Sequence, residues 1–384
     1  MVTKEPKPGQ THPDWRLRVS SRDPTSLLAG LTDWFSHTMG VESRPRLTSF
    51  GSPGKAGMSS ETLLFDLDWE ENGVARHGAF VLRLPPPEDS FPIFPEYNLD
   101  LQVDAMRLVS RGGTVPVPRI PWQERNSKAL GAPFFIMERI DGAMVPDNPP
   151  YIFGGWLADA TPAQQIRVQR ELVTILTGVH NVNASLVERN FLEIDRPGAS
   201  PLCRHFARER TLYEWGRNSM HFPLVEALFD WLAAHWPRVE SPAVVIWGDA
   251  RPGNVLWRDF HATAVLDWEL ATIGPREMDV GYLIFFHQYF RHVARVVAGR
   301  DPMPQFLRRN DVVNTYQEIA ETKLTDIDWF ITYGLLQQAV VEIRLSQRRI
   351  LFGEMERPAD TNDYLYSRRM IEQILADGPG IWQR

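Results

Sequence analysis

The feature that most restricts the fold is a change of hydrophobic period along a single chain. Residues 62–69 alternate, with Leu63, Phe65, Leu67 and Trp69 on one face, which is the period-2 pattern of a half-buried strand. After residue 161 the apolar positions Ile166, Leu172, Val173, Leu176 and Val179 recur at helical spacing instead. The stretch Thr161-Pro-Ala-Gln164 opens that pattern with a capping box and a proline at the first helical position. Between the two regimes, residues 141–159 carry Pro146, Pro149 and Pro150 with several glycines and alanines and little periodicity, the composition of a connection. With 384 residues the chain is too long for one small core. The expectation is an α+β protein of two lobes, an antiparallel sheet plus helix followed by a mainly helical part.

Four segments follow. Residues 1–24, rich in Pro, Arg, Ser and Asp, form a flexible arm; 25–141 form the N-terminal lobe; 142–160 link; 161–384 form the helical C-terminal lobe. Within the first lobe we expect a helix over 25–39, strands over 46–50, 62–69 and 78–84, a helix over 99–110, an extended run at 115–119 and a buried strand over 133–140. Beyond the helix that ends at His180, further helices are expected over 205–218, 223–235, 278–291, 325–348 and 362–376. Short β-like runs around Val244 and Val265 interrupt them.

Composition removes several function classes. A formal net charge of -7 leaves no basic field to hold nucleic acid phosphates. The single cysteine, Cys203, allows neither an internal disulfide nor a Cys-rich zinc site, which fits a reducing, cytoplasmic compartment. No segment reaches about 18 uninterrupted apolar residues and the polar N-terminus lacks a signal-peptide core, so no membrane association is expected. The ten histidines form no metal motif, and His180, His205, His261, His287 and His292 read as structural or surface residues. Oligomeric state has no signature in the residues.

Chemistry concentrates between residues 247 and 268. The apolar run Ala243-Val-Val-Ile246 stops at Trp247-Gly248, and Asp249 is the first charge after it. Asn254 follows five residues on, and Asp267 follows thirteen after that, just beyond the apolar Ala264-Val-Leu266. Taken singly, an Asp in a turn caps backbone N–H groups and an Asn beside Gly tolerates left-handed geometry. Together the spacing matches the kinase catalytic loop, in which an Asp accepts the substrate hydroxyl proton, an Asn binds metal and a later Asp binds Mg²⁺. Phosphoryl transfer needs alignment and charge neutralisation more than covalent chemistry. Hard oxygen donors at Asn254 and Asp267 suit Mg²⁺ completed by ATP phosphates and water. Upstream, the glycine-bearing connection 51–60, which includes Ser59 and Ser60, offers backbone N–H groups that can approach phosphates.

Further motifs carry a resemblance: Trp247-Gly-Asp-Ala-Arg-Pro-Gly-Asn-Val-Leu256, Ala264-Val-Leu-Asp-Trp-Glu-Leu-Ala-Thr-Ile-Gly-Pro275 and Met278-Asp-Val280, with Val81-Leu-Arg83, Val115-Pro-Val-Pro-Arg119, Gly131-Ala-Pro-Phe-Phe-Ile-Met-Glu138, Asp141-Gly142 and Leu176-Thr-Gly-Val-His180 in support. The chain resembles the phosphotransferase enzyme family that includes aminoglycoside phosphotransferases and choline kinases, and more narrowly the kinase-like domains fused to acyl-CoA dehydrogenases. The resemblance spans about residues 45–290. It implies a bilobal protein-kinase-like fold with ATP in the cleft. Asp249 becomes the catalytic base, Asn254 and Asp267 the metal ligands, and Arg83 the strand residue facing the α- and β-phosphates. Glu138, Arg139 and Ile140 become the hinge whose backbone receives adenine.

Three positions depart from the family pattern. Trp247 replaces the usual His, Arg83 the usual Lys, and Gln102 the usual helix Glu, with Asp100 and Asp104 nearby. Arginine keeps the charge of lysine but not its compact geometry. Asp279 matches a second acidic position, read here either as a direct participant or as a carboxylate serving Arg276 or a neighbouring backbone loop. Residues 268–275 leave no room for an activation segment, which disfavours a protein kinase. Trp329 and Tyr333 are noted as candidates for a substrate pocket, aromatic residues at helical spacing being more often core. The expected activity is ATP- and Mg²⁺-dependent phosphorylation of a hydroxyl on a small molecule, a hydroxyacyl compound or acyl-CoA ahead of an aminoglycoside. The alternative is a nucleotide-binding pseudokinase.

Overall fold

The computed structural model describes residues 22–52, 60–87 and 90–383, excepting the side chain of Val41. Most of the expected arm, and Ser59, lie outside the described residues. The chain divides into two compact units, Met1–Pro92 with Glu124–Phe134, and Ile93–Gln123 with Phe135–Arg384.

In the first unit, α1 (Pro24–Met39) starts where Asp23 accepts from the backbone N–H groups of Thr25 and Ser26 at 3.3 and 3.0 Å. An acidic N-cap of this kind satisfies donors that the first turn cannot. Leu27, Leu31 and Phe35, four residues apart, are buried on one face. The strands β1 (Arg46–Gly51), β2 (Glu61–Glu71) and β3 (Val74–Leu84) pair antiparallel in sequence order. β2 and β3 meet at Asn72-Gly73, both with positive φ (53° and 75°), as a two-residue hairpin turn requires. The alternation of β2 buries Leu63, Phe65 and Leu67 and leaves Trp69 half-buried. The Phe65 ring sits 6.0 Å from Phe35 of α1 and 5.7 Å from Phe80 of β3, so helix and sheet share one aromatic core. β4 (Trp122–Glu124) and β5 (Phe134–Glu138) contribute residues to both units.

The second unit is mainly helical. It contains α2 (Leu99–Ser110), α3 (Pro162–His180), the short α4 (Leu186–Arg189), α5 (Pro201–Gly216) and α6 (Pro223–Ala234). Four short strands come next: β6 (Ala243–Ile246), β7 (Val255–Arg258), β8 (His261–Val265) and β9 (Thr272–Pro275). They are followed by α7 (Glu277–Ala298), α8 (Arg309–Ala320), α9 (Ile327–Leu351) and α10 (Arg368–Asp377). The Thr161–Gln164 capping box forms as the sequence implies, whereas Ile166, counted in the apolar stripe, is exposed. β6 pairs with β9 and β7 with β8, each antiparallel. The long helices α7 and α9 cross where each offers a glycine to the other. A Cβ at Gly281 would stand 2.7 Å from the Phe330 carbonyl carbon, and one at Gly334 would stand 3.1 Å from the Phe285 side chain.

Trp329 and Tyr333 of α9 are core residues. The Trp329 indole donates to the Leu232 carbonyl at 3.1 Å, and the Tyr333 hydroxyl lies 2.6 Å from His205 Nδ1. Further along α9, Glu342 is buried beneath Ser367, whose N–H and hydroxyl both donate to it at 3.2 and 2.6 Å. Burial pushes the Glu342 carboxyl up to about 7. Because the folded pKa exceeds the unfolded one, near 4.5, the native state binds this proton more tightly. Stability from this group is therefore greatest below about pH 4.5, falls as pH rises to about 7, and is flat above. The span is about 3 kcal/mol at 1.36 kcal/mol per pKa unit. Calorimetric melting from pH 4.5 to 8 should show that loss in the wild type and its near absence in Glu342→Gln.

Candidate active site

Asp249 is placed by the end of β6. Immediately after the strand, Gly248 adopts φ +91°, and a Cβ there would lie 2.2 Å from the Leu270 carbonyl oxygen, so only glycine fits the turn. The backbone N–H groups of Trp247 and Gly248 point inward and donate to the two Asp279 oxygens at 2.8 and 2.9 Å. His180 Nε2 lies 3.0 Å from the same carboxylate, and its Nδ1 lies 2.7 Å from the Tyr316 hydroxyl. Asp279 is therefore a buried anchor for the loop that carries Asp249. Of the two roles the sequence left open for Asp279, it fills that of serving a neighbouring backbone loop.

The β7–β8 hairpin accounts for the thirteen-residue step from Asn254 to Asp267. Val255 pairs with Val265, and beyond that pair the Leu266 N–H donates to the Asn254 carbonyl at 2.8 Å. Asp267 is thus held next to Asn254 by strand register, and its backbone turns away in the left-handed region at φ +59°, which Asp tolerates better than most residues. The Trp247 indole N–H donates to the Leu266 carbonyl at 2.9 Å. Tryptophan in place of the usual histidine keeps a ring N–H and with it ties the Asp249 loop to the residue preceding Asp267. Trp247→Phe removes that donor and, being smaller, leaves a gap where the buried indole packed; the expected cost is about 2–4 kcal/mol by urea unfolding.

Around Asp249 the side chains converge. Asn254 Nδ2 donates to Asp249 Oδ2 at 2.6 Å and to its backbone carbonyl at 3.0 Å. Arg251 Nε is 2.9 Å from each Asp249 oxygen, and the far side of the same guanidinium pairs with Asp147. The Phe286 ring lies 5.0 Å from that guanidinium. The Tyr282 hydroxyl also donates to Asp249. Burial raises the Asp249 carboxyl well above the usual carboxylate range, the negative charges of Asp267 and Glu269 raise it further, and the Asn254 and Tyr282 hydrogen bonds oppose them. A buried carboxylate with raised basicity, one clear counter-ion and an amide clamp is the arrangement a general base requires.

The second unit therefore brings together Asp249, Asn254 and Asp267. It also contains Gln102 and the segment Glu138–Ile140, whereas Arg83 and Ser60 belong to the first unit. Arg83 on β3 donates to Thr62 Oγ1 at 3.1 Å, and Ser60 is buried with no hydrogen-bond partner for its hydroxyl among the described residues. Gln102 is buried on α2, and its amide nitrogen has no hydrogen-bond partner among the described residues. Asp100 accepts from Gln123 and Asp104 lies 3.8 Å from Arg107. The Glu138 carboxylate receives Arg119 at 2.7 and 2.9 Å, and Arg139 and Ile140 follow β5 outside regular structure.

Sequence reasoning passed over Arg251, Tyr282, Glu269 and Asp147. Arg251 and Glu269 lie inside the quoted motifs, so their positions were visible there. Tyr282 and Asp147 reach the site from α7 and from the 141–159 connection, and local sequence gives no sign of either. No helix among the described residues is long and apolar enough to cross a membrane.

Known proteins resemble this chain in two ways. Acyl-CoA dehydrogenase family member 11 of Rattus norvegicus is 25% identical over 224 residues, and the human protein of the same name is 25% identical over 222. The matches cover 58% and 57% of this chain but 27% of each relative, so the chain spans about a quarter of their length. Among solved structures, a putative aminoglycoside phosphotransferase from Ralstonia eutropha superposes with a TM-score of 0.62 at 19% identity, covering 92% of this chain and 98% of the other. An aminoglycoside phosphotransferase APH(4)-Ia variant, in a ternary complex with AMP-PNP and hygromycin B, superposes at 0.52 with 13% identity over 91% and 99%. These likenesses establish the bilobal kinase-like fold, with its N-terminal antiparallel sheet and helical C-terminal part. The phosphotransferase enzyme family model matches residues 64–311, most of the chain and all of the Asp249, Asn254 and Asp267 cluster: this chain belongs to the phosphotransferase enzyme family.

Proposed function

We propose that the protein transfers the γ-phosphoryl group of ATP, with Mg²⁺, to a hydroxyl of a small molecule. The observation that carries this reading is the convergence of Asp249, Asn254 and Asp267, set by the 2.6 Å amide–carboxylate bond and the Leu266–Asn254 register. In the transfer, the acceptor oxygen forms a bond to the γ-phosphorus as the bond to the bridging oxygen breaks. ADP leaves with that electron pair, and the acceptor's proton passes to Asp249. Among the described residues no three or more His, Cys, Asp or Glu side chains cluster to hold a metal. The donors at hand are the Asp267 carboxylate and the Asn254 amide oxygen, the amide nitrogen being spent on Asp249. Hard oxygens in that number suit an ion that keeps water and phosphate oxygens as its other ligands. When bound, Mg²⁺ would neutralise phosphate charge. Arg83 is assigned to the α- and β-phosphates, Ser59 and Ser60 to backbone contact with phosphate, Gln102 to support of Arg83, and the Glu138–Ile140 backbone to adenine.

For the acceptor we favour a hydroxyacyl compound, free or as its CoA thioester, over an aminoglycoside, since the matching relatives carry the name of acyl-CoA dehydrogenases. A cytoplasmic location fits the single cysteine. Incubating the protein with ATP, Mg²⁺ and a metabolite extract should add the mass of one phosphoryl group to a hydroxyl compound. ATP binding without such a product across a broad hydroxyl panel would instead favour a nucleotide-binding pseudokinase, a reading that the buried amide of Gln102 at the usual glutamate position supports.

A further inference from the structure

The Asp249 carboxylate is fully occupied by its neighbours. An ionised carboxylate offers about four lone-pair sites. Arg251 Nε takes one on each oxygen at 2.9 Å, Asn254 Nδ2 takes another on Oδ2 at 2.6 Å, and the Tyr282 hydroxyl takes the fourth. An acceptor hydroxyl can give its proton to this carboxylate only after one of those donors withdraws. Asn254 and Tyr282 are held in place. Both are buried, the Asn254 amide is also bonded to the Asp249 carbonyl at 3.0 Å, and the Tyr282 ring stacks 5.9 Å from Phe286. Arg251 is the most exposed of the three, with 19% of its side chain open.

Arg251 also has contacts that do not depend on Asp249. Its Nη1 pairs with Asp147, and its guanidinium lies 5.0 Å from the centre of the Phe286 ring. The tether is built into the fold. Ala143 exchanges backbone hydrogen bonds with Trp257 of β7 at 2.7 and 3.0 Å, which brings the chain leading to Asp147 against the loop that carries Arg251. A Cβ at Gly253 in that loop would stand 2.9 Å from both Asp147 oxygens and 3.1 Å from the Val145 carbonyl oxygen, so the glycine makes the space that the carboxylate fills. Arg251 Nη2 makes no hydrogen bond among the described residues. A guanidinium presents its N–H groups in a fork that matches phosphate, and a phosphoryl group in transfer spreads its charge over three oxygens.

We propose that Arg251 is a catalytic residue that caps Asp249 until the transferring phosphoryl group draws it away, with Asp147 as its positioning residue. The proposal rests on the phosphotransferase reading of Asp249 and adds the group that uncovers the base. As Nε leaves Asp249 it frees the lone pair that receives the acceptor's proton. In its new place the guanidinium neutralises charge on the phosphoryl oxygens while the bond to the ADP oxygen breaks. One movement therefore prepares both the base and the stabilising charge.

The test is calorimetric binding of ADP and Mg²⁺, with and without aluminium fluoride, to the full chain and to Arg251→Gln, Arg251→Lys and Asp147→Asn. Aluminium fluoride beside ADP stands in for the loose phosphoryl group of the transition state, and ADP alone, which lacks that group, checks folding. Wild type should hold ADP at least about tenfold more tightly with aluminium fluoride than without, as a charge-assisted contact would. Arg251→Gln should keep its ADP affinity and lose that gain. Arg251→Lys should keep part of the gain, and so should Asp147→Asn, in which the arginine remains but is untethered. With ATP, Mg²⁺ and a metabolite extract, phosphoryl transfer by Arg251→Ala should fall by about 10³-fold or more, the contribution of an arginine on a transferring phosphoryl group. Added guanidinium should restore part of it, which a merely structural arginine would not allow. An undiminished gain in Arg251→Gln, no gain in wild type, or loss of ADP binding in step with the gain in all three variants would each overturn the proposal. Phosphoryl transfer alongside a gain that ignores Arg251 sinks this inference alone, and an Arg251-dependent gain with no phosphorylated product sinks the phosphotransferase reading alone.

Discussion

Asp249→Asn should lower kcat by about 10²–10⁴-fold, the contribution of a positioned general base, while changing the binding of Mg²⁺ and AMP-PNP by no more than a few fold. The substitution is nearly isosteric. Asn254 Nδ2 can still donate to the new amide oxygen, so the 2.6 Å contact that clamps the loop survives in part. What is lost is the proposed acceptor of the hydroxyl proton. Arg251 at the same time loses the carboxylate that it meets at 2.9 Å and keeps Asp147. Single-turnover measurement of phosphoryl transfer, paired with calorimetric binding of AMP-PNP, separates the two effects. Transfer at the wild-type rate would exclude Asp249 as the base, and loss of nucleotide binding in step with transfer would mean that the loop had collapsed.

Asp279→Ala should be the more damaging change to the fold although this residue touches no reacting atom. Its two oxygens accept the buried N–H groups of Trp247 and Gly248 and meet His180. Removing the carboxylate strands two backbone donors and one imidazole where water does not reach. Breaking a buried hydrogen-bonded charge in this way costs about 3–5 kcal/mol. Urea unfolding reads that loss directly. Because the same two N–H groups fix where Asp249 begins, kcat should fall with it. Asp279→Asn, with one oxygen left to accept, should be intermediate in both measurements. A variant that unfolds like wild type would show that Asp279 is not the anchor of the loop.

The two substitutions draw on different kinds of information. Asp249, Asn254 and Asp267 were legible as a set because covalent spacing alone constrains them: five residues span a tight loop, and thirteen span a two-stranded hairpin with its return. The Asp279 anchor, by contrast, acts across about thirty residues of intervening strand and turn. Its chemistry was open in the sequence, where a carboxylate after Asp267 had two equally ordinary uses. Trp247 was legible only as a departure. The indole N–H that reaches the Leu266 carbonyl follows from how β6 and the β7–β8 hairpin pack.

Element types were read mostly from period. The expected helices over 25–39, 99–110 and 223–235 agree closely with α1, α2 and α6, since an apolar stripe with a cap or proline at its start is local information. β7, β9 and α8 were not anticipated. β7 and β9 are four residues long, too short for an alternation to stand out, and α8 buries only Val312 and Tyr316, too few to mark a face.

By itself, then, the sequence determined the class of fold, through its change of hydrophobic period, and the reaction class, through three oxygen-bearing side chains at set separations. Tertiary structure alone decided what those side chains meet. Arg251 bridging Asp249 to Asp147 and Tyr282 arriving from α7 bring together residues distant along the chain. Their formation depends on helix packing, including the glycine-to-helix crossing of α7 and α9, and packing of that kind leaves no periodic or spacing signal in the residues it joins.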